Sequence, residues 1–173
     1  MANKKEKIIS TALALFAKMG YDATSTSKIA LSAGVSEGLI FRHFKNKEGL
    51  LESILTVGRD KIWQLYRPIL EARDPREILR KVISLPFDIP ADQLAFWRLT
   101  YALKWRSETY DYSLTEPLNT KLKEAFYELG YFDPVAETEV VLLMMDGLIH
   151  SLLLRAPTNQ EAIRLVLFSK YLL

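Results

Sequence analysis

The amino-acid sequence predicts an all-α protein of about nine helices. Apolar residues recur at helical spacing along almost the whole chain of 173 residues, beginning with Ile8, Ala12 and Phe16. Gly20, Gly34 and six of the seven prolines stand where these apolar segments begin or end, and no segment alternates with the period of two that is typical of a β-strand. Hydrophobic residues make up 49% of the chain and charged residues 25%, which is the composition of a folded protein with its own core.

The ends of the predicted helices are marked by capping residues and prolines. Gly20 and Gly34 suit the C-caps of the first two helices, because glycine adopts the left-handed conformation without strain. Ser36 and Asn46 suit the N-caps of the third and fourth helices. In the rest of the chain, each proline lies near a predicted helix start or in a connection. The predicted helices are 8–19, 27–33, 36–44, 46–72, 75–84, 91–108, 115–129, 134–155 and 158–172.

The residue types exclude several kinds of site. Without cysteine, the chain has no disulfide, no thiolate metal site and no cysteine nucleophile. We expect no metal and no other cofactor, because the two histidines fall in different predicted domains. No apolar run is long enough to span a membrane, and the start, MANKKEKIIS, lacks the apolar stretch of a signal peptide. We therefore expect a cytoplasmic protein without a membrane partner.

Residues 27–44 have the pattern of a helix-turn-helix. Two short predicted helices meet at Gly34, and the small side chains of Ala30 and Ala33 allow the second helix to cross the first closely. The predicted contacts between these helices are made by Ile29, Val35, Ile40 and Phe44. This arrangement is typical of proteins that insert the second helix into the major groove of DNA.

Charge and side-chain chemistry favour DNA as the partner of this segment. Residues 1–60 hold nine Lys/Arg and six Asp/Glu, a net charge of +3, whereas residues 61–173 have a net charge of −1. Arg42 can form two hydrogen bonds with guanine, and Leu39 can contact a thymine methyl group. Lys45 and Lys47 flank the N-terminus of the fourth helix, where a cation is unfavourable unless an anion such as phosphate is bound.

The same residues are also compatible with a protein that binds no DNA. A helix, a glycine turn and a second helix occur in many proteins that have no nucleic-acid partner. Arg42 could pair with Glu6 or Asp22, His43 could be an ordinary surface histidine, and the lysines could simply be solvated.

The segment ALFAKMGYDATS and the segment KIALSAGVSEGLIFRHFKNKEGLL strongly resemble the DNA-binding domain of the tetracycline-repressor (TetR) family. The resemblance covers residues 8–51 and implies an N-terminal helix-turn-helix domain at 1–46. It also implies a helical domain at 47–173 that binds an effector and dimerises. Beyond residue 51, only the length and the helical character agree with the family.

The resemblance also implies which residues contact double-stranded DNA. Three hydroxyl residues would lie near phosphates at a helix N-terminus, and Lys47 would hold a phosphate. The chain departs from the family at Phe41, where a tyrosine hydroxyl is usual, and at Leu39, where a small polar residue is frequent. The predicted DNA-binding residues are Thr24, Ser25, Ser27, Ser36, Glu37, Gly38, Leu39, Phe41, Arg42, His43 and Lys47.

Aromatic residues in the second part of the chain have two interpretations. They form the core of a helical bundle, or some of them line an apolar cavity between helices. The family resemblance implies such a cavity and a small apolar or aromatic effector. The predicted pocket residues are Trp63, Phe96, Trp97, Tyr101 and Trp105.

The last two predicted helices are candidates for a homodimer interface. Residues 140–156 are apolar around most of the helix circumference, so they must be covered on nearly every side. They could be covered by other parts of the same chain or, as in the TetR family, by a second copy. The predicted interface residues are Leu143, Gly147, His150, Leu154, Ile163 and Leu167.

Together these observations predict a homodimeric repressor that a small-molecule effector releases from a palindromic operator. A regulator whose second domain only dimerises or binds a protein partner is the main alternative. A carrier of hydrophobic molecules would explain the aromatic residues but not residues 24–47. The sequence contains no Ser-His-Asp order, phosphate-binding loop or paired carboxylates, so we expect that the protein is not an enzyme.

Overall fold

A computed structural model of the chain describes residues 4–104, 115–155 and 158–173. Within these residues the chain forms nine α-helices and no β-strand, which confirms the all-α prediction. A 3-10 turn, Ala91–Gln93, precedes the sixth helix. The helices are α1 (Lys4–Met19), α2 (Thr26–Ala33), α3 (Glu37–Phe44), α4 (Lys47–Leu70), α5 (Pro75–Ser84), α6 (Leu94–Lys104), α7 (Glu116–Glu128), α8 (Pro134–Arg155) and α9 (Gln160–Lys170).

The helix ends follow the predicted caps with two differences. Gly34 adopts a left-handed conformation and donates its N–H to the carbonyls of Ala30 and Leu31. Asn46 accepts a 2.7 Å hydrogen bond from the N–H of Gly49 and so caps α4. The hydroxyl of Ser36, in contrast, makes no capping hydrogen bond, although its backbone has the N-cap conformation. α1 also begins four residues earlier than predicted, because charged Lys4–Lys7 extend the helix ahead of the apolar series.

The described residues fall into two compact units. The first comprises those of 1–61 and 91–109, and the second those of 62–90 and 110–173. The first unit therefore contains α6 as well as the helix-turn-helix. The predicted domains, 1–46 and 47–173, were defined by function, whereas the two units are defined by compactness. The functional division therefore stays a prediction.

The core of the first unit joins the helix-turn-helix to α1 and α6. Phe16 of α1, Ile40 of α3 and Leu99 of α6 are almost completely buried in one apolar cluster. Each such side chain stabilises the fold by about 1.5–3 kcal/mol through burial. Gly58 of α4 is needed for close packing, because a Cβ atom there would overlap the ring of Phe96 at 1.8 Å. The helix-turn-helix is thus held in place by the packed core of the first unit.

The core of the second unit is formed mainly by α5, α7, α8 and α9. Its largest completely buried side chain is Phe126, whose ring lies 5.0 Å from the ring of Tyr131 in an edge-to-face contact. Arg76 at the start of α5 donates a 2.8 Å hydrogen bond to the carbonyl of Leu172, which ties the C-terminal residues to this unit. None of the described helices is both long and apolar enough to cross a membrane.

Candidate nucleic-acid interface

α2 and α3 form the predicted helix-turn-helix. The turn is closed by a 3.0 Å hydrogen bond from the N–H of Val35 to the carbonyl of Ala30. A second link joins the two helices, since the hydroxyl of Thr26 donates a 2.6 Å hydrogen bond to the carboxylate of Glu37. Glu37 was predicted to face DNA, but its carboxylate accepts this bond at the start of α3. Its side chain therefore links the start of α3 to the start of α2.

The two faces of α3 differ sharply in burial. Ile40 and Phe44 are buried in the core of the first unit, as predicted, and Leu39 is half-buried beside them. The opposite face is exposed and carries polar, basic and aromatic groups. It consists of Ser36, Gly38, Phe41, Arg42 and His43.

Arg42 is available to an external partner. Its side chain is exposed, and it forms neither an ion pair nor a hydrogen bond with any of the described residues, which include the alternative partners Glu6 and Asp22. His43 is exposed too, and its ring lies 5.9 Å from the ring of Phe44. A guanidinium without a partner in the described part of the chain retains all its donors for an anionic or base-edge acceptor.

The three hydroxyl residues predicted to lie near phosphates occupy different environments. Thr24 is completely buried, and its hydroxyl donates a 2.8 Å hydrogen bond to the carbonyl of Gly20. The expected contact between this hydroxyl and a phosphate is therefore corrected, because the group lies inside the protein and is already bonded. Ser25 is exposed and caps α2 by accepting a 3.2 Å bond from the N–H of Lys28. Ser27 is exposed at the first turn of α2.

Lys47 has partners within the chain. Its ammonium donates hydrogen bonds to the carbonyls of Tyr21 at 2.9 Å and Thr24 at 3.1 Å. It also lies 4.2 Å from the centre of the Tyr21 ring, a cation–π contact. These acceptors explain why a lysine can lie at the N-terminus of α4 without a bound phosphate. Because they use two of the three N–H donors of the ammonium, one donor remains for the predicted contact with a phosphate.

A second contact joins α4 to the same loop. The hydroxyl of Tyr21 donates a 3.2 Å hydrogen bond to the carboxylate of Glu48. Partial burial, together with the nearby charge of Glu48, raises the pKa of Tyr21 to about 12. Because the raised pKa favours the neutral phenol in the folded state, this contribution to stability is complete below about pH 10 and is lost as the pH rises towards 12. The contact is intact at neutral pH.

The connection from α3 to α4 is unusually tight, and the sequence patterns did not predict it. Lys45 has φ 67° and ψ −49°, and the N–H of Asn46 donates a 2.8 Å hydrogen bond to the carbonyl of Phe44. These features define a γ-turn in a conformation that is strained for a residue with a side chain. The turn leaves no room at Gly49, where a Cβ atom would lie 2.1 Å from the carbonyl oxygen of Phe44. The sequence signal for this turn was the glycine at the third position of α4.

We predict that Lys47→Met lowers the free energy of unfolding by about 2 kcal/mol, because two hydrogen bonds from a charged donor are lost from a half-buried site. Chemical denaturation of the full chain measures this change. Lys28→Met is the matched control, because this exposed lysine of α2 has no side-chain partner among the described residues. Equal stability of the two variants would show that the contacts of Lys47 contribute nothing measurable.

The predicted pocket residues are dispersed in burial and position. Phe96 is buried against Gly58, Trp97 and Tyr101 are half-buried, and Trp63 is exposed. Trp105 lies outside the described residues. The set is divided between the two units, so its role as one pocket stays a prediction.

The predicted dimer residues divide into an exposed and a buried group. Leu143, Gly147, His150 and Leu154 are exposed on α8. Two residues predicted on α9 pack within their own chain instead: Leu167 belongs to the core of the second unit, and Ile163 is half-buried against it. Leu167 therefore serves the core of its own chain, and the rest of the interface on α9 stays a prediction. The exposed apolar residues of α9 are Leu165 and Val166.

Comparison with known proteins identifies the first part of the chain. Residues 8–54, from α1 into α4, match the sequence profile of "Bacterial regulatory proteins, tetR family". This part of the chain is a TetR-family domain. The match spans the buried face of α1, the helix-turn-helix and the γ-turn. The residues that match the TetR family are therefore those that form this core and the exposed face of α3.

TetR-family relatives resemble the chain beyond this segment. The uncharacterized HTH-type transcriptional regulator YerO of Bacillus subtilis is 34% identical over 136 residues, which are 75% of this chain and 42% of YerO. The chain thus matches less than half the length of this relative. Such TetR-family relatives are transcriptional regulators and not enzymes.

Solved structures share the fold at low sequence identity. A putative transcriptional regulator from Saccharomonospora viridis, in complex with choline, superimposes with a TM-score of 0.77 at 18% identity and covers 96% of this chain and 95% of its own. AibR, in complex with isovaleryl coenzyme A and operator DNA, gives a TM-score of 0.73 at 19% identity, with 96% of this chain and 97% of AibR covered. At these identities the similarity shows the fold alone.

Proposed function

We propose that the chain is a transcription regulator that binds a specific DNA duplex through the exposed face of α3. The observation that carries this proposal is Arg42, a guanidinium that projects from a rigidly packed helix without a partner among the described residues. The TetR-family domain supports the same conclusion. α3 would lie in the major groove, where Arg42 would contact guanine and Leu39 or Phe41 a thymine methyl group.

The regulator acts as a homodimer in this proposal. Along α8, four exposed apolar or small residues and one exposed histidine recur every three or four positions and so share one face. Leu143 on this face is 73% exposed, which is costly for leucine in water. A second copy offers a matching face through a two-fold axis. Two α3 helices related by this axis would read a palindromic site. The α8 stripe consists of Val140, Leu143, Gly147, His150 and Leu154.

A small effector that weakens DNA binding completes the proposal. In the stretch that leads into α6, the side-chain amide oxygen of Gln93 and, one helical turn later, the Trp97 indole N–H are buried without a hydrogen-bond partner among the described residues. A buried polar atom left unpaired costs about 1–3 kcal/mol. A ligand that carries an apolar body and one polar group would satisfy the indole N–H. Small molecules are present in two structures of similar fold, choline in one and isovaleryl coenzyme A in the other.

We predict that Arg42→Ala loses the preference for a specific sequence. The experiment selects the bound site from random DNA duplexes, then compares the affinity for that site with the affinity for a shuffled duplex. We expect the preference to fall about 5- to 150-fold for each half-site, the equivalent of 1–3 kcal/mol per bidentate contact. Candidate metabolites are then screened for release of the selected duplex.

Arg59→Ala is the matched control, because Arg59 is an exposed arginine twelve residues along α4 from Lys47. This variant should keep the preference of the native chain. Selection that enriches no sequence would overturn the regulator proposal. Equal losses in the two arginine variants would overturn the role of Arg42.

A further inference from the structure

An open groove of about 620 Å³ lies beside the exposed face of α3, entirely within the first unit. None of the predicted pocket aromatics that the structure describes lines it. Its walls come from the start of α1, the end of α2, the turn and α3. The lining residues are Lys4, Ala30, Leu31, Gly34, Val35, Ser36, Leu39 and Arg42.

Basic side chains from different helices line the groove. Lys4 of α1 and Arg42 of α3 both line it, and no acidic residue of the described ranges does. Lys7 adds a third cation, since its ammonium nitrogen would lie 3.7 Å from a Cβ atom built on Gly34. Glu6 is the acidic residue closest in sequence to these lysines. At 100° per residue around the helix axis, its side chain points about 100° away from that of Lys7 and about 160° away from that of Lys4.

The groove also has an exposed apolar part. Leu31 is 83% exposed at the end of α2, beside the half-buried Leu39. An exposed leucine among cations suits an occupant that has both anionic groups and apolar surface. The sugar-phosphate backbone of a nucleic acid has this chemistry, because charged phosphates alternate with deoxyribose rings.

We propose that this groove holds the backbone of the DNA strand that flanks the bases contacted by α3, with Lys4 and Lys7 binding its phosphates. The inference rests on the proposed function, since α3 must lie in the major groove for the strand to pass this way. It extends the DNA contacts to α1, where the sequence predicted none. Arg42 would then lie between the bases and this backbone. Because phosphate contacts position a protein on the duplex, Lys4 and Lys7 would set the register of α3 in the groove.

The experiment measures duplex affinity as a function of salt for the full-length Lys4→Ala/Lys7→Ala variant. We expect equal weakening on the selected and the shuffled duplex. The slope of log affinity against log salt should fall by about 1 for each lost phosphate contact. The ratio of the two affinities should remain that of the native chain, because phosphate contacts carry no sequence information.

Lys18→Ala is the matched control, because it removes the same charge from the other end of α1. Lys4→Ala alone is a second variant, in case loss of Lys7 destabilises the turn at Gly34, and the unfolding midpoint of each variant is measured. An unchanged salt slope in the Lys4 variants, with sequence-specific binding intact, would overturn this inference alone. A native chain that binds no duplex would overturn the proposed function itself.

Discussion

Gly49→Ala is expected to lower the free energy of unfolding by about 3 kcal/mol, at the upper end of the usual cost of overpacking. The new Cβ atom would lie 2.1 Å from the carbonyl oxygen of Phe44. A backbone atom cannot move away as a flexible side chain can. This carbonyl also accepts the hydrogen bond that closes the γ-turn, and the N–H of Gly49 is bonded to the capping side chain of Asn46. Relief of the clash must therefore disrupt the turn or the cap.

Gly38→Ala is the matched control for Gly49→Ala. A Cβ atom at Gly38 would meet nothing within 4 Å among the described residues, and the residue lies in the same unit and within α3. We expect stabilisation by up to about 1 kcal/mol, the difference in helix propensity between glycine and alanine. Chemical denaturation of the full chain measures both variants. Changes of the same sign and size at the two positions would show that the turn does not need glycine at position 49.

Leu143→Asp is expected to convert the proposed homodimer into monomers. The substitution places a carboxylate on the exposed apolar face of α8, and a two-fold axis places it there twice. A buried charge without a partner costs about 3–5 kcal/mol, so the interface would bear this cost for both copies. Sedimentation velocity measures the change in mass.

DNA binding should weaken in parallel, because single recognition helices would then bind half-sites independently. Tyr127→Asp is the matched control, since Tyr127 is an exposed aromatic residue of α7 outside the α8 stripe. It should leave the mass of the assembly unchanged. A Leu143→Asp variant that stays dimeric would place the interface elsewhere on the chain.

The helices could be located well from the sequence because their signals are local. Pro134 and the apolar spacing that follows it predicted the bounds of α8, which the structure reproduces at 134–155. Gly34 and Asn46 act as the predicted caps, since capping depends on hydrogen bonds between residues only three or four positions apart. The buried face of α3 was also predictable, because Ile40 and Phe44 lie one helical turn apart.

The sites were harder to predict because their chemistry depends on partners distant in sequence. Lys47 was assigned to phosphate, but its ammonium meets carbonyls 26 and 23 positions earlier in the chain. Thr24 has the right side chain for a phosphate contact, yet folding buries it. On α9, the apolar pattern identified a face that must be covered, and the structure shows that it packs in its own core.

By itself the sequence determined the all-α class, the order of the helices and the residues that α3 presents. These follow from the spacing and capping of neighbouring residues, which are properties of the chain at short range. Only the tertiary structure decided which polar groups remain available: Arg42 does, whereas Thr24 is buried and Lys47 is held by two carbonyls. The physical reason is that a hydrogen-bond partner or a desolvating neighbour comes from packing distant segments together, and the spacing of residues along one helix does not encode that packing.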